Sequence, residues 1–284
     1  MMIDQNRSLP RVMSTAVDVS MPLLWVGDAS DAEMQLCLEW ARQQPPLSVV
    51  GGVACGGDLL AEPALILLPM AWSGEVNDRD LIQLSRRWPL ATTVVVAGSC
   101  VDGIRRRGPV IAGGLIIPWY ELPGRLRLWR TQREAGVAAS LAAPVTSRRE
   151  DRLLARMAVH RASRQPVMRV AVAARSLASL DSLELLAAVA GMHVVSRTWG
   201  VPPDDALGSV LLWDAEQIDD AVLSHLARLR RGRPDRPVLM FESFPRGATA
   251  LAVREAGGSH VLGRPVEADV VAETIRWCQQ MHAG

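Results

Sequence analysis

Short apolar runs punctuate the first half of the chain, at residues 23–26, 48–50, 64–68, 92–97 and 114–117. Each is as long as a strand buried on both faces, and none alternates with polar residues. Helical periodicity fills the intervals. Ser30-Asp31-Ala32-Glu33 reads as a capping box, opening a helix whose Met34, Cys37 and Leu38 share one face. Residues 80–87 predict another helix, stopped before Pro89. Alternating strands and helices predict an α/β fold with a doubly wound parallel sheet.

The second half repeats this pattern about 145 residues later. Val49-Val50 corresponds to Val194-Val195, and residues 64–68 to 209–213. Leu81 and Leu84 match Leu226 and Leu229, and Ala97 matches Glu242. The first strand needs a one-residue slip, which lays Leu24-Trp25-Val26 on Val170-Ala171-Val172. Five elements recurring in order point to a duplication, with room in each copy for five strands and five helices. The expected organisation is a loose tail over 1–20, a first copy over 21–143, a basic helical linker over 144–166 and a second copy over 167–284. A helix ending before Pro144 closes the first copy, and Ser147-Arg148-Arg149-Glu150 reads as a capping box for the linker helix.

Composition removes several function classes. The 31 basic and 30 acidic residues leave a net charge of +1, so the strong basic excess of a nucleic-acid or membrane-surface protein is missing. Every basic residue is arginine, which excludes a Walker-type lysine, a Schiff base or a Ser–Lys pair from this chain. Cys37, Cys55, Cys100 and Cys278 have no metal-ligand spacing and read as reduced, mostly buried thiols of a cytoplasmic protein. No secretory leader or membrane span is read. The glycine-rich stretch 51–57 lacks the Gly-Lys-Ser/Thr ending of a phosphate loop and reads as a strand-to-helix connection. His160, His193, His225, His260 and His282 fall in no ligand or triad spacing. Neither metal nor cofactor is expected.

Three stretches of the second copy carry a resemblance. Ser209-Val-Leu-Leu-Trp-Asp214 is followed by Pro237-Val-Leu-Met-Phe-Glu-Ser243, and later by Ser259-His-Val-Leu-Gly-Arg-Pro265. Residues 168–280 resemble the receiver domain of bacterial two-component response regulators, and the first copy joins the resemblance through the repeat. The resemblance implies a flavodoxin-like fold in each copy, with five parallel strands in the order 2-1-3-4-5 and chemistry at their carboxyl ends. It implies an acidic pair holding Mg²⁺, an aspartate that accepts the phosphoryl group, a Ser or Thr switch hydroxyl, and a lysine before proline.

Matched position by position, both copies are degenerate. In the second, Asp214 stands at the phosphoacceptor position, but Ala174 and Arg175 replace the acidic pair. Glu242 replaces the hydroxyl, and Arg264 before Pro265 replaces the lysine. Arg264 is expected to form an ion pair with Glu242 or Asp214, and Pro265 to follow a cis peptide bond, as in the resembled family. In the first copy Asp28 is the one carboxylate at the acidic-pair position, Pro69 replaces the phosphoacceptor, Ala97 the hydroxyl, and Pro118-Trp119 the Lys-Pro pair.

Trp119, Tyr120 and Trp129 flank the edge through which receiver domains meet partners and form a candidate interface, with core packing as the alternative for Trp119. The expected assembly is a homodimer or a close contact between the two copies. The reading is a non-catalytic signalling protein, a tandem of pseudo-receivers that binds a protein partner such as a signalling kinase or regulator. The alternatives are a phosphoreceiver using Asp214 and a small-molecule sensor at the carboxyl edge of the sheet.

Overall fold

The computed structural model describes residues 21–53, 62–101, 114–135 and 167–283; the expected tail and linker lie outside them. The first copy contains β1 (Leu23–Val26), α1 (Ala32–Arg42), β2 (Leu47–Val50), β3 (Leu65–Met70), α2 (Asp78–Arg87), β4 (Thr92–Ala97) and β5 (Leu115–Pro118). A 3-10 turn (Trp119–Glu121) then leads into α3 (Leu122–Glu134). The second copy contains β6 (Arg169–Ala174), α4 (Leu177–Val189), β7 (His193–Trp199), β8 (Val210–Asp214), α5 (Asp220–Gly232), β9 (Val238–Glu242), α6 (Gly247–Glu255), β10 (His260–Gly263) and α7 (Ala268–Ala283). Each copy forms a five-stranded parallel sheet, β2-β1-β3-β4-β5 and β7-β6-β8-β9-β10, both in the order 2-1-3-4-5.

Local chemistry explains the helix starts. Asn77 caps α2 by accepting from the Asp80 amide at 3.0 Å, and Asp219 caps α5 by accepting from Val222 at 2.8 Å. Acidic residues lie in the first turn of both helices and arginines in the last, which matches the helix dipole. The cap of α1 is Asp31, not Ser30: its carboxylate accepts from the Glu33 and Met34 amides. Glu33 is thereby released from the expected capping box.

Two further expectations are corrected. Leu65 and Leu67 share a core face with Leu23 and Trp25, as Val210 and Leu212 do with Val170 and Val172. Leu23 pairs with Leu65, and Val170 with Val210, so Leu23 rather than Leu24 is the counterpart of Val170. The slip is two residues, because a slip of one would turn Trp25 onto the opposite face of the sheet. The second copy also has four helices instead of five. Between β7 and β8 the chain passes Gly200, Pro202, Pro203 and Gly208 without a helix.

The two copies pack against each other through α3 and α7 and the exits of β5 and β10. A Cβ on Gly124 of α3 would stand 2.3 Å from Thr274 Oγ1 and 2.6 Å from the Val270 carbonyl, so only glycine permits this helix crossing. Arg125 pairs with Glu267 at 3.2 Å and Arg127 with Glu273 at 3.0 Å across the seam. Trp40 stacks on Trp119, with ring centroids 6.0 Å apart, and meets Trp277 and His260 edge-on. The expected close contact between copies is therefore present within one chain.

Candidate functional site

The carboxyl edge of the second sheet gathers the residues singled out from the sequence. Asp214 closes β8 beside Ala174, Glu242 closes β9, and Arg264 follows β10. Asp214 is 1% exposed. Its Oδ1 accepts from the Glu216 amide at 3.0 Å, and Oδ2 accepts from Arg264 Nη1 at 2.5 Å. Glu216 itself adopts φ 63°, an uncommon conformation for a non-glycine residue, two positions after the aspartate it serves. Arg264 Nη2 donates to Ser243 Oγ at 3.0 Å, which spreads the guanidinium across both strand ends. The Arg264–Pro265 peptide is cis, as expected.

Of the two carboxylates offered to Arg264, the salt bridge selects Asp214. Glu242 is half-buried, and its Oε2 has no hydrogen-bond partner. Burial raises its pKa, opposed by Arg246 and then Arg264. The Mg²⁺ that the resemblance implies does not fit this edge. Ala174 offers no side-chain oxygen, Arg175 is a cation, and Asp214 Oδ2 is held by a guanidinium.

The first copy's edge carries no such pair. Asp28 is exposed and accepts from the neighbouring Ala29 amide at 2.8 Å. Pro69 stands one residue before the end of β3, and Ala97 is fully buried at the end of β4. Ala97 pairs with Pro118 as Glu242 pairs with Gly263. Trp119-Tyr120, not Pro118-Trp119, therefore stands where Arg264-Pro265 does. A cavity of about 490 Å³ opens here, with Asp28, Asp31, Glu75 and Asp80 in its wall.

Trp119, Tyr120 and Trp129 are buried at 0%, 3% and 1% exposure, so none is an exposed docking patch. Tyr120 lies against the second copy: a Cβ on Gly263 would come 2.2 Å from its Cζ. His260 is buried, with Nε2 donating to the Tyr120 carbonyl at 2.7 Å. Burial lowers its pKa to about 4, against the weaker raising effect of that hydrogen bond, and this keeps the ring neutral. Glu33, 6% exposed, accepts from Ser99 N at 2.6 Å and from Gly247 N of the second copy at 2.9 Å. Sequence reasoning missed Glu33 and His260 as seam residues. His260 carried a signal, as a polar residue heading the apolar strand His260–Gly263, whereas Glu33 stands among Asp31 and Gln35 at a helix start and carried none.

No family model matches the chain, and no curated protein matches it. Solved structures similar to it, all at low identity, include response regulator receiver domains and putative pilus assembly proteins. A putative pilus assembly-related protein from Burkholderia pseudomallei is 21% identical, with a TM-score of 0.37 over 40% of this chain and 90% of its own. A response regulator receiver domain from Methanospirillum hungatei is 16% identical, with a TM-score of 0.36 over 42% of this chain and 98% of its own. A putative pilus assembly protein from Burkholderia thailandensis is 20% identical, with a TM-score of 0.37 over 40% of this chain and 99% of its own.

Proposed function

We propose that the protein is a non-catalytic regulatory protein, a tandem of pseudo-receivers that works by engaging a protein partner. The observation that carries this reading is the state of Asp214. Both of its oxygens are occupied from within the chain, one by a backbone amide and one by Arg264. A phosphoryl donor approaching Asp214 would have to displace that guanidinium. It would do so without the metal that offsets phosphoryl charge, and beside Glu242. The Arg264–Asp214 pair thus serves as a permanent internal substitute for a phosphate contact, holding the edge in one state. The receiver-like fold supports a regulatory role.

The test is incubation with acetyl phosphate, or with beryllofluoride, in the presence of Mg²⁺. Intact mass and the fluorescence of Trp213, next to Asp214, are then followed. The expected result is no added phosphoryl mass and no saturable fluorescence change. Mg²⁺-dependent modification that disappears in Asp214→Asn would overturn the reading in favour of a phosphoreceiver. A second reading, ligand sensing at the carboxyl edge, draws on the acidic cavity of the first copy. It predicts saturable binding of a small cationic ligand that Asp28→Asn weakens.

A further inference from the structure

A cavity of about 790 Å³ opens at the amino-terminal ends of the second sheet's strands, the end opposite Asp214. Val167, Met192 and Leu207 give it an apolar wall, and Arg169, Arg233 and Arg276 give it charge. No Asp or Glu is among the described residues that line it. Arg276 is held by Glu273. Arg169 is exposed and makes no ion pair among the described residues.

The ground behind this wall is also cationic. The Ala206 carbonyl accepts from Arg233 Nη1 at 2.9 Å and from Arg236 Nη1 at 2.8 Å, so two guanidinium groups converge on one neutral oxygen. Arg236 is 4% exposed, and its Nε and Nη2 have no hydrogen-bond partner. Burial, and then the Arg233 charge, lower its pKa, yet a guanidinium does not give up its proton in a protein. A buried cation with no counter-charge is costly, and it raises the positive potential of the space beside it.

We propose that this cavity binds a small molecule bearing phosphate-type oxyanions. Arg169, Arg233 and Arg276 hold the anionic groups, and Arg236 reinforces the field from behind. Planar guanidinium forks match phosphate oxygens in pairs, and three of them around an apolar wall suit an organic phosphate. A cavity of several hundred cubic ångströms is the size of ordinary small-molecule sites. The proposal does not depend on the pseudo-receiver reading, because the cavity and Asp214 lie at opposite ends of the sheet.

The experiment is calorimetric titration of the full chain with inorganic pyrophosphate at low ionic strength. It is repeated on Arg169→Gln, on Arg169→Gln/Arg233→Gln and on Arg228→Gln, whose arginine lies outside the cavity. The expected result is saturable binding that weakens about tenfold in the double variant and is unchanged in Arg228→Gln. If the double variant fails to fold, Arg169→Gln decides alone: its side chain is exposed and unpaired, and about threefold weakening is expected. Absence of saturable binding, or equal weakening by Arg228→Gln, would overturn the proposal.

Discussion

The two copies use the exit of their fifth strand in opposite ways. In the second copy Arg264 turns inward to Asp214 and binds two strand ends together. In the first copy Trp119 occupies the matching position, and the position matching Asp214 is Pro69. Trp119 is buried under Trp40, and Tyr120 beside it lies on the second copy. Charge is present at both positions in one copy and absent from both in the other. Physics favours this correlation, because removing one member of a buried pair strands the other. Where the second copy has a polar site, the first has an apolar face that docks on its neighbour.

The largest test acts on the docking side. Trp119→Ala removes a fully buried indole whose nitrogen has no partner, so no polar group is orphaned by the change. A loss of about 4 kcal/mol is expected in urea denaturation. Increased hydrogen exchange in α3 and α7 should accompany it; a loss confined to the first copy would mean that the tryptophan does not couple the copies.

Breaking the ionic side should cost somewhat less, because Arg264 is partly exposed. Arg264→Ala is expected to destabilise by about 3 kcal/mol, and adding Asp214→Asn should recover part of it. Additive single effects in the double-mutant cycle would show that the pair is not a unit.

Next is the pH dependence of the seam. His260 is neutral in the fold, with its pKa lowered to about 4, whereas in the unfolded chain it titrates near the ordinary histidine value. Below that ordinary value the unfolded chain binds the extra proton, so stability falls as pH drops toward 4. Between pH 7 and pH 5 the expected loss is about 2 kcal/mol, and His260→Gln should flatten that slope. An unchanged slope in the variant would assign it to other groups.

The smallest effect belongs to Glu242, the half-buried carboxylate that Arg264 passes over. Its folded pKa is raised, so folding penalises its charge at neutral pH. Glu242→Gln should stabilise the protein by about 0.5 kcal/mol, read as a small rise in melting temperature. A decrease would indicate that Arg246 or Arg264 needs its charge.

Much of this was legible in the linear chain. Apolar runs placed the strands of the first sheet to within two residues. β1, β3 and β4 are buried as expected, whereas the edge strands β2 and β5 expose Val49 and Leu115, because one side of each has no neighbouring strand. Helix–strand alternation implied parallel sheets, and the resemblance supplied their order. Asp214, Arg264 and the cis bond before Pro265 were implied by the resemblance of residues 209–265 to receiver domains, and the structure has all three in place. Local periodicity could not choose between Asp214 and Glu242 as partner of Arg264, since both end neighbouring strands and side-chain reach decides. Nor could it set the slip of the first strand, which depends on the face that Trp25 presents to the core.

The sequence by itself thus determined element type and strand direction, and it narrowed the partner of Arg264 to two carboxylates, all consequences of residues within a single element or copy. Only the tertiary structure decided that Glu33 would leave its helix cap to hold Ser99 and Gly247, and that His260 would donate to Tyr120. It also decided that Gly124 and Gly263 would leave room for the other copy. These contacts join residues far apart in the chain, so they impose no repeat on the sequence near either partner. Their energy comes from burial and hydrogen bonding that exist only once both copies are folded and docked.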